Sequence, residues 1–468
     1  MSARPIYQQR QVDRSVFRAY DIRGVIGSQL DPDAFYSIGK AISCRLYALK
    51  RSSIFLARDG RLTSESLANA LKQGLLDSGI KVLDLGAVAT PVMYFATHHM
   101  NQEVDSGVMV TGSHNPADYN GIKIVLAGTT LGHADIELIY HLVSTGESVS
   151  GEGQYQSIDL MGDYVQRILE DMTLQRPLKV VVDCGNGIAG ATIPYVIEQL
   201  GCEVIPLFCE VDGHFPNHHP DPTVEENLLD LRSAVAAHQA DLGLAFDGDA
   251  DRLGVLTNQG NIIWPDRLMM FYVAEVLERN PGATVVYDVK CSSHLSEVIE
   301  RAGGVAKMCP TGHSIVKKVM KEERAVLAGE MSGHLFFKDR WFGFDDALYS
   351  ACRLLEILSR SSQTVSEQFA AIPDSVNTPE IKIPIDEDDK FFFMQRFSEQ
   401  AQFPDARLIV IDGLRVEFPH GWGLLRASNT TPCLVARFEA QSEDSLNAIQ
   451  ALFKIQLHAV DERLTIPF

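Results

Sequence analysis

Apolar and polar positions alternate along the chain in a plan that occurs three times. In the first copy Ser53-Ile-Phe-Leu-Ala-Arg-Asp59 reads as a strand, an amphipathic stretch to Gly79 as a helix, and Ile80-Lys-Val-Leu-Asp84 as a second strand. The second copy runs Lys179-Val-Val-Val-Asp183, a helical stretch to Gly201, then Glu203-Val-Ile-Pro-Leu-Phe208. The third runs Thr284-Val-Val-Tyr-Asp288, a helix to Gly304, and an apolar run from Val305. A strand ending in Asp, a helix ending at Gly and a further strand make a βαβ unit, which builds a sheet with helices on its faces. Copies so far apart predict three similar domains.

Each copy is followed by an apolar strand that enters a polar loop. These are Gly107-Val-Met-Val-Thr-Gly-Ser113-His114-Asn-Pro116, Leu242-Gly-Leu-Ala-Phe-Asp247-Gly-Asp249-Ala-Asp251-Arg252, and Ala325-Val-Leu-Ala-Gly-Glu330-Met-Ser332-Gly-His334. Such junctions are where α/β folds carry chemistry. Three different loops at equivalent junctions predict one cleft to which each domain contributes one chemical group.

From about residue 374 the pattern changes to short strands (Leu408–Ile411, Leu414–Phe418, Cys433–Phe438) and a helical stretch from Ser442 to Val460. The expected fold is therefore α/β: three similar α/β domains with mixed sheets, and a smaller C-terminal α+β domain, around a central cleft. The expected limits are 1–157, 158–261, 262–373 and 374–468. A chain of 468 residues is long enough for such a division.

Composition narrows the function. A net charge of −20 argues against a nucleic-acid partner, because phosphate backbones need a basic face. A small phosphorylated ligand stays possible if Arg, Lys and backbone N–H groups cluster locally. Met1 to Arg18 contains no apolar run, so no secretion signal is expected, and no stretch is apolar enough to span a membrane. Eight cysteines at 44, 184, 202, 209, 291, 309, 352 and 433 form no CxxC pair, which fits buried thiols in a reducing compartment. A cytoplasmic protein without membrane contact is expected.

Asp247, Asp249 and Asp251 can point to one side if the chain there is extended, and their repulsion is relieved by a cation such as Mg²⁺. The alternative is a solvated acidic turn. Thr111-Gly-Ser113-His114-Asn-Pro pairs a candidate nucleophile with a histidine, against the alternative of a plain Gly-Ser-Asn-Pro turn. Gly421-Trp-Gly-Leu-Leu-Arg426-Ala-Ser428-Asn429-Thr430-Thr431-Pro432 has the composition of a phosphate cradle or of an ordinary hairpin loop. Gly185-Asn-Gly187-Ile-Ala-Gly190 has the spacing of a dinucleotide fingerprint. The matching turns of the other copies lack it, so it is read as a structural βα turn. Tyr20, Arg23, Lys123, Lys290 and His313 are individually weak signals, and His218 and His219 have no evident partner.

Together the loops resemble those of the α-D-phosphohexomutase family. Thr111-Gly-Ser-His-Asn-Pro is similar to its phosphoserine loop, Asp247-Gly-Asp-Ala-Asp-Arg to its metal loop, Gly329-Glu-Met-Ser-Gly-His to its sugar loop, and Arg426-Ala-Ser-Asn-Thr-Thr-Pro to its phosphate loop. The stretch Gly329–Asp346 is most similar to the bacterial phosphomannomutase/phosphoglucomutase branch; Lys290-Cys-Ser-Ser departs from the expected pattern after Cys291. The resemblance implies reversible interconversion of hexose 1-phosphates and 6-phosphates of glucose and mannose, through phosphorylated Ser113 and a hexose 1,6-bisphosphate that also serves as activator. It implies Mg²⁺ on Asp247, Asp249, Asp251 and the Ser113 phosphate, with His114, Lys123, Arg252, Arg23 and His334 in the chemistry. Tyr20, Arg23, Lys290, His313, Glu330, Ser332, His334, Arg426, Ser428, Asn429 and Thr430 would contact the sugar phosphate. A monomer with a mobile fourth domain is expected. The alternatives are a phosphoglucosamine mutase, a sugar phosphatase that lets water intercept phosphoserine, and a non-catalytic phosphosugar sensor.

Overall fold

The computed structural model describes residues 6–468 except Asp388 and Thr430. Its first three sheets share one core arrangement. In the first, Ser53–Arg58 lies between the parallel strands Lys81–Ala87 and Gly107–Val110, and Gly107–Val110 turns back against the antiparallel strand Tyr119–Leu126. In the second, Lys179–Asp183 lies between Glu203–Leu207 and Leu242–Phe246, and Leu253–Thr257 returns antiparallel. In the third, Thr284–Asp288 lies between Val305–Cys309 and Leu327–Gly329, and Leu335–Phe337 returns antiparallel.

The central strands are apolar at consecutive positions because helices cover both faces. Helix ends are set locally. Asp31 caps Pro32–Ala48 by accepting from Ala34 N at 2.8 Å, with Pro32 in the first turn. The helices Pro32–Ala48 and Ser64–Leu76 approach at glycine: a Cβ on Gly74 would stand 2.3 Å from Tyr36 O.

In each copy the antiparallel return reverses the chain at the end of the third parallel strand. Each reversal carries one polar loop, residues 111–118, 247–252 and 330–334. The sheets therefore place three unlike loops at equivalent positions.

The fourth sheet is antiparallel, with Arg407–Ile409, Leu414–Phe418, Gly421–Ala427 and Cys433–Ala440 in order and the helix Glu443–Val460 against it. The stretch from Gly421 to Ala427 is a strand, whereas the sequence reads as loop from Gly421 to Pro432. Glycine misleads here: Gly423 is small because Phe453 lies on it, and a Cβ would stand 2.5 Å from that ring.

Buried apolar residues of the second and third domains and one face of the first form a continuous core, while Phe397, Phe403 and Phe453 center a separate core in the fourth. The fourth domain is anchored to the third through buried arginines: Arg415 Nη1 donates to Val289 O and Cys291 O, both at 2.7 Å, and Arg437 Nη1 reaches Asp266 at 3.2 Å. It meets the first domain through Arg18 and Glu387, 3.4 Å apart with side chains 20% and 42% exposed.

Candidate active site

Ser113 follows the strand Gly107–Val110 in a left-handed conformation, φ +50°. The loop is held from beneath by Asp59, the residue that ends the first central strand. Its Oδ2 accepts from Thr111 Oγ1 at 2.8 Å and Gly112 N at 3.2 Å. Arg61 holds the loop from the side, donating to Ser113 O (2.7 Å), Asn115 O (2.5 Å), Pro116 O (2.5 Å) and Tyr119 O (3.1 Å). A planar guanidinium suits this task because its donors are fixed in a fork. Sequence reading missed both residues, although a strand-ending Asp recurs in every copy. Asp288 does the same for the third loop, accepting from Met331 N at 3.2 Å, and also holds Thr311 Oγ1 of a neighbouring segment at 2.9 Å. In the second copy Asp183 instead holds His218 Nε2 at 3.0 Å, which gives that histidine a structural place.

Ser113 Oγ faces the second loop, 3.1 Å from Asp247 Oδ2 and 3.3 Å from His114 Nδ1. That loop is a turn and not an extended segment: Ala250 N donates to Asp247 O at 3.1 Å and Ala250 has φ +63°. The carboxylates still converge, because the turn brings oxygens of Asp247, Asp249 and Asp251 within 4.8 Å of one another. All three are fully buried. Lys123 Nζ lies 2.7 Å from Asp249 Oδ2 and also touches Asp251, and Thr90 Oγ1 donates to Asp249 Oδ2 at 2.6 Å.

Burial, together with Asp249 and Asp251, pushes the Asp247 carboxyl well above its ordinary range. Burial opposes charge on Asp249 too, but Lys123 outweighs it and holds that carboxyl low. Oδ1 of Asp249 and of Asp251 are buried without a hydrogen-bond partner. An all-oxygen group with excess negative charge and unpaired lone pairs fits a hard divalent cation.

The third loop lies across from these groups. Arg252 Nε donates to His334 Nε2 at 3.2 Å, and His334 Nδ1 lies 3.2 Å from Asp345 Oδ2. Lys317 Nζ holds the other Asp345 oxygen at 2.8 Å. Glu330 Oε1 accepts from Gly312 N at 2.6 Å, while its buried Oε2 has no partner. Tyr20 packs edge-on against His313, ring centroids 5.0 Å apart, and burial pushes its phenol up to about 12. Burial, aided by neighbouring cations, keeps His114 and His313 neutral, well below the ordinary imidazole value.

Other candidates stand further round. Arg23 Nη2 pairs with Asp21 at 2.5 Å. Lys290 Nζ is engaged by Glu380 at 2.6 Å, which helps hold that carboxyl down at about 2 against the effect of burial. Ser332 is half-buried in the third loop. Arg426 is at the end of its strand, with Nε on Asp412 Oδ2 at 2.9 Å and a buried Nη2 without a partner. Ser428 Oγ and Thr431 Oγ1 are 2.8 Å apart, and Asn429 Nδ2 reaches Thr311 O at 3.4 Å. Thr430 lies outside the described residues. The glycines Gly187 and Gly190 serve packing and not a nucleotide: Cβ atoms there would stand 2.9 Å from Gly248 Cα and 1.9 Å from Cys209 O.

Known proteins resemble this chain in sequence and fold. The sequence matches the family descriptions phosphoglucomutase/phosphomannomutase α/β/α domain I over residues 14–150, domain II over 162–260, domain III over 264–376, and the C-terminal domain over 380–455. It is 52% identical over 454 residues to the phosphomannomutase/phosphoglucomutase of Pseudomonas aeruginosa, covering 97% of this chain and 98% of that one. Identity to the phosphoglucomutase of Neisseria gonorrhoeae is 49% over 447 residues, 95% of this chain and 96% of the other. A crystal structure of a phosphoglucomutase/phosphomannomutase family protein from Burkholderia thailandensis matches with TM-score 0.93 and 46% identity, covering 98% of this chain and all of the other.

Proposed function

The chain belongs to the phosphoglucomutase/phosphomannomutase family, and from that premise we propose that it moves a phosphoryl group between O1 and O6 of glucose and mannose phosphates through Ser113. The enzyme is an isomerase of sugar phosphates. The observation that carries the assignment of the nucleophile is the placement of Ser113 Oγ beside Asp247, inside a buried group of three carboxylates.

Asp247, Asp249 and Asp251, with an oxygen of the Ser113 phosphate, would hold Mg²⁺. Mg²⁺ bound there supplies neutralisation of charge on the phosphoryl oxygens. In the forward half-reaction the free hydroxyl of a hexose monophosphate attacks phosphorus, the bond to Ser113 Oγ breaks, and the product is a hexose 1,6-bisphosphate. Once substrate displaces Arg252 from His334, Nε2 is free to accept the hydroxyl proton, with Asp345 Oδ2 3.2 Å from Nδ1 on the other side of the ring. Asp249 and Asp251 overcome the effect of burial on Lys123, so its ammonium persists to steady the departing oxygen.

At the far end Arg426 has a guanidinium nitrogen to spare for the phosphate that does not react, with Ser428, Asn429 and Tyr20 around it. Glu330 Oε2 and Ser332 take the sugar hydroxyls. Turned end for end, the bisphosphate offers its other phosphate to Ser113, and the steps run in reverse. A trace of the bisphosphate also restores phosphate lost from Ser113, which makes it an activator. Eight unbridged cysteines agree with a cytoplasmic, reducing location, and a monomer suffices because every group named lies on one chain.

The test is a coupled assay of glucose 1-phosphate, and of mannose 1-phosphate, with Mg²⁺ and trace glucose 1,6-bisphosphate. Hexose 6-phosphate without free phosphate supports the reading; stoichiometric free phosphate would replace it with a phosphatase.

A further inference from the structure

Two cysteines behind the metal loop take no part in the chemistry above. Cys184 follows the strand Lys179–Asp183, and Cys209 closely follows its parallel neighbour Glu203–Leu207. Their sulfur atoms are 3.4 Å apart, and both are thiols. The intervening Phe208 has φ +50°, a left-handed conformation that a bulky aromatic residue rarely adopts. The chain beyond it carries Cys209 back over the sheet, where its Sγ lies 3.3 Å from Val182 O and 3.4 Å from Leu207 O. Cys184 is buried and Cys209 is half-buried, so an oxidant meets Cys209 first.

Backbone contacts connect this pair to the active site. Ile188 N, in the turn after Cys184, donates to Gly248 O of the metal loop at 3.2 Å. Gly187 is packed against Gly248 so closely that no side chain fits between them, and Gly190 is packed in the same way on Cys209 O. Gly248 in turn abuts the nucleophile loop, since a Cβ on it would stand 2.4 Å from Ser113 O.

We propose that Cys184 and Cys209 are a redox-modification site, closing to a disulfide under peroxide and thereby shifting the turn that backs the metal loop. Closure brings the sulfurs from 3.4 Å to about 2.05 Å, a displacement the close-packed glycines would transmit. Burial pushes the Cys184 thiol up, whereas the hydrogen bond with Cys184 holds Cys209 below the ordinary thiol value, which makes Cys209 the attacking sulfur.

The Cys209 thiolate attacks one peroxide oxygen, the O–O bond breaks, and the leaving hydroxide takes up the thiol proton as water. Cys184 sulfur then attacks the resulting Cys209 sulfenic acid. The S–O bond breaks, the S–S bond forms, and hydroxide leaves with the Cys184 proton as a second water. The two thiols are oxidised and the peroxide is reduced; a reduced dithiol reverses the change by exchange.

The experiment treats the full-length protein with stoichiometric hydrogen peroxide, blocks residual thiols, and maps peptides without reduction. One linked pair of peptides carrying Cys184 and Cys209 is expected. A kcat lowered roughly tenfold should accompany it, since small misplacements of reacting groups cost that much or more, and dithiothreitol should restore the rate. Cys209→Ser and Cys184→Ala should each keep their own starting rate under the same treatment. Recovery of the two cysteines on separate peptides would overturn the site. A link without loss of rate, or equal loss in the variants, would overturn its coupling to the metal loop. The peptide readout does not depend on the mutase reading, which the assay of untreated protein tests by itself.

Discussion

Ser113 Oγ and Asp247 Oδ2, from two different domains, are in hydrogen-bond contact at 3.1 Å. Ser113 and the carboxylates of Asp247, Asp249 and Asp251 are therefore aligned only when the first and second domains are correctly docked. Ser113→Ala should lower kcat by about 10³-fold or more, as removal of a nucleophile does in other enzymes, with Tm unchanged. The coupled assay and a thermal melt check this; near-normal turnover would remove Ser113 from the chemistry.

Removal of the cation is expected to abolish turnover. Exhaustive chelation should leave an inactive, folded protein that Mg²⁺ restores. Asp249→Asn should weaken Mg²⁺ binding by on the order of 100-fold, read by titration calorimetry. Unchanged affinity would show that the carboxylate cluster is held by Lys123 alone.

Under the proposed function Arg426→Ala takes away the donor for the phosphate that does not react. The expected result is a KM raised roughly 10- to 100-fold, worth about 1.5–3 kcal/mol for a hydrogen bond to a charged group, with kcat changed less. Lost kcat at normal KM would place Arg426 in the transferring step.

Arg61 touches three carbonyl groups of the Ser113 loop and that of Tyr119, where the next strand begins. Arg61→Lys keeps the charge but cannot reproduce the fork, so it should reduce kcat by about tenfold or more while KM moves little. Wild-type kinetics in this variant would mean that the loop holds its shape through Asp59 alone.

Asp346 caps the helix Ala347–Leu358, and burial raises its carboxyl from 3.8 to about 7. A carboxyl raised in the folded state binds its proton more tightly there than when unfolded. Its contribution is full below about pH 4 and is lost as pH rises towards 7, at about 1.4 kcal/mol for each tenfold change in proton affinity. Asp346→Asn should flatten the pH dependence of Tm over that interval. An identical slope in both proteins would count against it.

Much of the fold was legible because its central strands are runs of apolar residues ending in Asp, repeated three times. The fourth domain was less so: Gly423 looks like a loop residue until Phe453 is seen lying on it, and Gly421 until Glu439 O and Ala440 of the neighbouring strand are seen beside it. In the site, Asp247, Asp249 and Asp251 stood out as a local cluster, although a turn and not an extended chain brings them together. Arg61, Thr90, Asp345, Lys317 and Asp412 did not stand out. Each acts on a residue distant in sequence, as Thr90 does on Asp249 and Asp412 on Thr311 and Arg426, and no local spacing records such a pairing.

In the proposed reaction the unequal attachment of the fourth domain would set a kinetic trade-off. Buried arginines tie it to the third domain, whereas its ion pair with the first, Arg18–Glu387, is partly in water and worth at most about 1 kcal/mol. In the proposed reaction a latch that weak would let the bisphosphate find room to tumble and would also give it a chance to escape at every opening. Processivity would then be a race between reorientation and release, and added salt, by screening the latch, would tilt that race towards release.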